Sequence, residues 1–192
     1  TNRIRLLKIG RKRPFQEMEC QLVEIGLSES DEHEAVSYVW GDPARVQFIL
    51  VDDRRLPITK SAYDILRRRW STGRERLIWI DQVCINQDDD DEKAAQVQLM
   101  RRIYKGAKRV TAFLGHAQDA HLVESLFAEF HFRKKGLRYS FEDLKKLYQS
   151  EPKTEQWNAM AKFFGNPWFQ RVWIVQEAAS AKVLIYSTAT LF

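Results

Sequence analysis

Cysteine is scarce in this sequence: only Cys20 and Cys84 occur in 192 residues, far apart and in no Cys-x-x-Cys pattern. A disulfide scaffold or a cysteine-built metal staple is therefore excluded, and a reducing compartment is expected. Nor is there a signal-peptide pattern, so a cytoplasmic location is the expectation. No apolar run reaches the roughly 18 to 20 residues that a membrane helix requires, which excludes a membrane span. A dominant charge is missing too. The chain has 31 basic and 26 acidic residues, a net +5, with the two signs interleaved. Basic clusters stand at Arg11-Lys12-Arg13 and Arg67-Arg68-Arg69, but no zinc-finger, basic-zipper or RRM-type motif accompanies them. They read as solvated faces, and nucleic acid is not an expected partner. Internal repeats and low-complexity tracts are absent.

What is present suits one domain with a sizeable core, since 44% of residues are hydrophobic. Residues 1–33 read as a lead-in strand, around Gln21 to Ile25, and a linker. Residues 34–192 read as the main domain. Ala35 to Trp40 predicts a strand stopped by Gly41-Asp42-Pro43, and Gln47–Val51 with Leu56–Ile58 predicts a hairpin across Asp52 to Arg55. Thr59 or Ser61 can cap a helix ending near Thr72-Gly73. Leu77 to Ile80 is a short apolar run, the pattern of a strand buried on both faces. Ala94, Val97, Met100, Ile103, Tyr104 and Ala107 recur at helical spacing. A strand at Val110 to Leu114 follows. Helices are predicted around Leu122 to Phe130, from Ser140, from Trp157 to Phe164 and from Phe169 to Ala179, then a strand at Lys182 to Tyr186. This alternation describes an α/β domain with a mostly parallel sheet and a helical insertion at about 117–165, before the last unit.

Ligands in such sheets bind beyond the carboxyl ends of the strands. Attention therefore falls on Trp40, Gly41 and Asp42, on Asp81 to Gln87, and on Glu177, a carboxylate among Trp168, Val172, Trp173 and Val175. Each has two readings. Glu177 serves a ligand or pairs with an arginine such as Arg171, which lies six residues earlier and so off the same helical face. Trp40 and Trp173 stack on a heteroaromatic ring or fill a core. Gly41 admits a phosphate or a positive φ, and Asp42 accepts from a hydroxyl or closes a turn. Asp81 positions a ligand or anchors the loop through Cys84, Asn86 and Gln87, with anchoring favoured for Asn86. Cys84 as a nucleophile, with His33, His116, His121 or His131 as base, has no support from spacing. The acidic run Asp88 to Glu92 suits a helix N-terminus better than a metal, so no metal is expected.

Four separated blocks carry a family resemblance. They are Ser37-Tyr38-Val39-Trp40-Gly41-Asp42, Trp79 to Gln87, Glu92 to Tyr104 with Gln96, Val97 and Met100, and Pro167-Trp168-Phe169 through Arg171, Trp173, Gln176 and Glu177. Their order and spacing resemble the fungal heterokaryon incompatibility (HET) domain, with Gln82-Val83 and Asp52-Asp53 as small departures. The resemblance implies fungal non-self recognition and programmed cell death. It also implies a distant similarity to the TIR domain, hence a flavodoxin-like sheet with helices on both faces. In that family a Trp-x-x-x-Glu segment, here Trp173 to Glu177, carries the catalytic glutamate of NAD cleavage. The implied chemistry is hydrolysis of the nicotinamide glycosidic bond, with NAD as substrate and no cofactor. Glu177 would then stabilise the developing ribose cation, with Trp40, Gly41, Asp42, Asp81 and Trp173 lining the substrate and Asn86, Gln87 and Arg171 supporting. Homo-oligomerisation by an upstream sensor is the implied activation. The alternative is a non-catalytic, self-associating signalling module. A cleft at Glu177 beside Gly41 and Asp42 favours catalysis; burial against an arginine without a cavity favours the structural role.

Overall fold

Alternating charge and apolarity decide the first strand. In Arg3–Ile9, Ile4, Leu6, Leu7 and Ile9 are buried, while the cationic Arg3, Arg5 and Lys8 lie nearer the surface. The computed structural model describes residues 3–12, 15–27, 32–116, 119–133, 142, 149 and 154–189. Its strands are β1 (Arg3–Ile9), β2 (Glu19–Gly26), β3 (Glu34–Tyr38), β4 (Gln47–Val51), β5 (Arg54–Ile58), β6 (Arg76–Trp79), β7 (Arg109–His116) and β8 (Leu184–Ala189). The helices among the described residues are α1 (Lys60–Arg69), α2 (Asp81–Cys84), α3 (Asp90–Gly106), α4 (Ala120–Arg133), α5 (Thr154–Phe164) and α6 (Ile174–Ala179). A single 3-10 turn, Pro167–Gln170, precedes α6. The helix predicted from Ser140 falls almost wholly outside the described residues.

The eight strands form one mixed sheet in the order β5-β4-β2-β1-β6-β3-β7-β8. The α/β class predicted from sequence is what the chain adopts. The mostly parallel flavodoxin-like arrangement applies only in part: β3 pairs parallel with β6 and β7, whereas β1 runs antiparallel to both β2 and β6. The departure originates in the first 33 residues. Instead of one lead-in strand, they supply β1 and β2, and β1 sits inside the sheet with Leu7 opposite Ile78. Burying Ile4, Leu6, Leu7 and Ile9 requires neighbours on both sides, and a hairpin partner plus β6 provides them.

Contacts divide the chain into two compact units, Thr1–Phe113 with Arg171–Ser187, and Leu114–Gln170 with Thr188–Phe192. In the first, the core is built on β1, β3 and β6 and on Ile65 and Leu66 of α1 and Ile103 and Tyr104 of α3, with Trp79 edge-on to Tyr104 at 5.4 Å. The Thr59 side chain caps α1 by accepting from Ala62 N, and the side-chain Oε1 of the buried Gln82 accepts from both Thr59 N and its hydroxyl. That bond ties the start of α1 to the segment after β6. In the second unit, Val123, Leu126, Ala159 and Met160 pack together, and Phe163, Phe164, Trp168 and Phe169 form an aromatic cluster.

The hairpin between β4 and β5 turns on Asp52 and Asp53, both at positive φ (48° and 62°). Two consecutive left-handed residues match the twist of the strands, but a side chain there carries strain. Asp53→Gly relieves that strain and costs some backbone entropy, so it is expected to stabilise the protein by about 0.5 kcal/mol. The urea unfolding midpoint checks this; a decrease contradicts the turn assignment.

Candidate functional site

Parallel pairing places the carboxyl ends of β6 and β3 at one edge, and the residues that follow each strand meet there. Trp40, two residues beyond β3, donates its indole N–H to Asp81 Oδ2 at 2.9 Å, and Asp81 opens α2 directly after β6. The other Asp81 oxygen accepts from Gln82 N at 2.7 Å. Burial pushes the Asp81 carboxyl above the usual carboxylate range, the Trp40 and Gln82 bonds oppose the rise, and nearby Glu177 adds to it while Arg171 subtracts. Asp81, Glu177 and Arg171 therefore form one electrostatic cluster.

Glu177 is 1% exposed. Arg171 grips it with two parallel bonds, Nη1 to Oε2 at 3.0 Å and Nη2 to Oε1 at 2.9 Å. The Ser37 hydroxyl, on β3, also donates to Oε2. A fork of this kind is the strongest ordinary pairing for a carboxylate. It forms because the predicted helix from Phe169 to Ala179 is interrupted: the 3-10 turn ends at Gln170 and α6 begins only at Ile174, with Trp173 as its N-cap. A continuous helix would have set residues 171 and 177 on different faces. The break lets the guanidinium fold back.

Beneath this layer lie two buried phenols. Tyr104 donates to the Val36 carbonyl at 3.1 Å. The Tyr38 hydroxyl is buried beside the Asp81 carboxyl. Burial, and then the neighbouring carboxylates, hold both phenols well above their ordinary range.

The remaining candidates are structural in their contacts. Gly41 has φ +68°, and a Cβ there would stand 3.3 Å from Ser61 Oγ. Asp42 Oδ1 accepts from Ala44 N at 2.9 Å, closing a turn. Gln87 donates to the Asp81 carbonyl at 2.9 Å, and Asn86 Oδ1 accepts from Asp88 N at 3.2 Å, so both hold the loop after α2. Trp173 is 43% exposed, whereas Glu177 is buried. In the acidic run, Asp89 caps α3 and Glu92 pairs with Arg5 and accepts from Asn86 N. Cys84 is buried, its thiol weakly bonded to the Ile78 carbonyl. His33 Nε2 lies 3.2 Å from the Ile103 carbonyl.

Sequence reasoning did not single out Ser37 or Tyr38 by themselves, nor Tyr104 as more than a core residue. Ser37 had a signal: a hydroxyl inside a strand apolar on both sides needs a distant partner. The cavities of about 700, 340 and 230 Å³ lie elsewhere, lined by residues such as Glu19, Asp52, Phe48, Arg67, Arg3 and Gln96. No described helix is long and apolar enough to cross a membrane.

Comparison with known proteins places these residues in context. The profile of the Heterokaryon incompatibility protein (HET) family matches residues 33–177. Heterokaryon incompatibility protein 6, OR allele, from Neurospora crassa is 31% identical over 195 residues, covering 82% of this chain. The chain spans only 29% of that relative's length. No solved structure matches significantly.

Two expectations follow. Arg171→Met strands Glu177 as an unpaired buried charge and is expected to cost about 3–5 kcal/mol in urea unfolding. Glu177→Gln leaves a partly exposed arginine that water can reach and costs less; the reverse order contradicts the geometry. Burial raises the Cys20 and Cys84 thiols to about 12, so iodoacetamide at about pH 8 should label neither in the native protein and both in urea. Native labelling of Cys84 contradicts its placement.

Proposed function

Because the chain belongs to the HET family, we propose that it carries the death signal of fungal non-self recognition by self-association, once an upstream sensor gathers copies. One observation supports this reading most: segment 171–177 is inside out. Its charged residues, Arg171 and Glu177, point inward and pair with each other. Three of its four apolar residues face solvent, Val172 at 84%, Val175 at 68% and Trp173 at 43% exposure, while Ile174 is half-buried. Hydrophobic surface left outside while charge is buried marks a contact face. A second copy suits it, because an uncharged patch meets its own image without like-charge repulsion.

A second reading is cleavage of the nicotinamide glycosidic bond of NAD, the chemistry implied by the TIR-like similarity. What favours it is the cluster of Asp81, Trp40 and Glu177 at the carboxyl ends of parallel strands, with one carboxyl held above its usual range. The leaving nicotinamide is already cationic, so a carboxylate need only stabilise charge developing on the ribose. For Glu177 to act so, Arg171 must first release it. The fork and the burial weigh against that step.

One experiment tests the pair of readings. Wild type, Val175→Asp, Asp81→Asn and Glu177→Gln are clustered artificially and assayed for nicotinamide release, and their uninduced association is measured by light scattering. Concentration-dependent association of wild type, reduced at least tenfold by Val175→Asp, with no nicotinamide release, is the expected outcome. Release that disappears in Glu177→Gln or Asp81→Asn overturns the signalling-only reading in favour of NAD cleavage.

A further inference from the structure

At the opposite edge of the same parallel strands, four guanidinium groups converge on a single carboxylate. Glu34 opens β3, Arg76 opens β6 and Arg109 opens β7, so parallel pairing brings their amino ends together. Arg69 arrives from the last turn of α1, and Arg74 from the turn before β6. Arg76 Nη1 donates to Glu34 Oε1 at 2.8 Å. Around the same carboxylate stand Arg109 at 3.6 Å, Arg69 at 3.7 Å and Arg74 at 3.9 Å.

Neutralising a buried Glu34 needs one cation, and Arg76 is that cation. The other three guanidiniums lie beyond hydrogen-bond distance of it. Arg69 is held instead by donating to the Thr111 hydroxyl at 2.5 Å. Among the described residues, four cations stand against one anion, leaving three positive charges in excess around Glu34. Among the described residues, the carboxylates flanking the cluster in sequence are engaged elsewhere, Glu32 with Lys108 and Glu75 with Lys8. A donor is also left over: Arg76 Nε is buried and has no acceptor among the described residues. Burial makes Arg69 easier to deprotonate, Glu34 opposes this, and Arg76 and Arg109 add to it. Such repulsion persists in a fold only where something gains from it.

We propose that this cluster is a binding site for a compact ligand carrying two or more adjacent phosphates. Guanidinium is planar, weakly hydrated and matches phosphate oxygens two at a time. The charges surround one point rather than following a line, which suits a compact polyanion better than a nucleic-acid strand. Arg74, 58% exposed on its side chain, is the arm that solvent-borne phosphate meets first. Arg109 and Arg69 are half-buried behind it, while Arg76 stays with Glu34. The site lies at the other edge of the strands from Glu177 and does not depend on either reading of it.

Titration calorimetry of the 192-residue chain with inorganic tripolyphosphate at low ionic strength tests the proposal, with orthophosphate and a short DNA duplex alongside. Wild type should bind tripolyphosphate more tightly than orthophosphate, and the affinity should fall as salt is added. Arg74→Ala, an exposed position whose loss leaves the fold intact, should weaken binding about tenfold. Glu34→Gln, checked for folding by thermal melting, should strengthen it by removing the competing carboxylate. Absence of tripolyphosphate binding, unchanged affinity in Arg74→Ala, or tighter binding of the duplex through the same arginines overturns the proposal.

Discussion

The Arg171–Glu177 fork is the interaction on which the C-terminal part of the first unit depends. It joins the turn before α6 to the helix itself, and through Ser37 it fastens both to β3, 140 residues away in sequence. Local propensity alone does not stabilise six residues of α6 as a helix. A charge-assisted network anchored in a buried strand does. Fixing Glu177 inside also fixes what the same segment shows outside, so Val172, Trp173 and Val175 face solvent as a consequence of the pair.

Three parallel strands give the unit two chemically different edges. Toward their carboxyl ends, Trp40 bonds to Asp81, and Ser37 and Arg171 bond to Glu177, two electrostatically coupled sets whose donors and acceptors largely satisfy one another. At their amino ends, Glu34 is outnumbered by arginines. One edge is nearly self-contained, while the other carries unbalanced charge. The segments matching the HET profile supply both edges, since its match runs from residue 33 to residue 177.

How far the fold could be read from sequence depended on how local its determinants were. The Thr59 cap, the Asp52-Asp53 hairpin and α3 follow from residues within a few positions of one another, and each forms close to its predicted bounds. β1 was hidden because Arg3, Arg5 and Lys8 made the stretch read as basic rather than as a strand with buried apolar residues on both faces. The antiparallel half of the sheet was lost with it. Trp40, Asp81, Arg171 and Glu177 were legible as candidates, and the structure gathers them. Their bonding was not legible, because it hinges on a helix break at Arg171-Val172-Trp173 that carries no proline or glycine to announce it. The arginine cluster was equally hidden: its members come from α1, a turn and two strand starts, and only sheet pairing brings them to Glu34.

Glu177 is buried and held by Arg171, and under the proposed signalling function it does not meet substrate. The ¹³C resonance of the Glu177 carboxylate, assigned through Glu177→Gln and followed while NAD is added to clustered protein, tests it directly. The account predicts a resonance that stays in place at all NAD concentrations. A saturable shift of that resonance, showing the carboxylate exchanging Arg171 for the nucleotide, would contradict it.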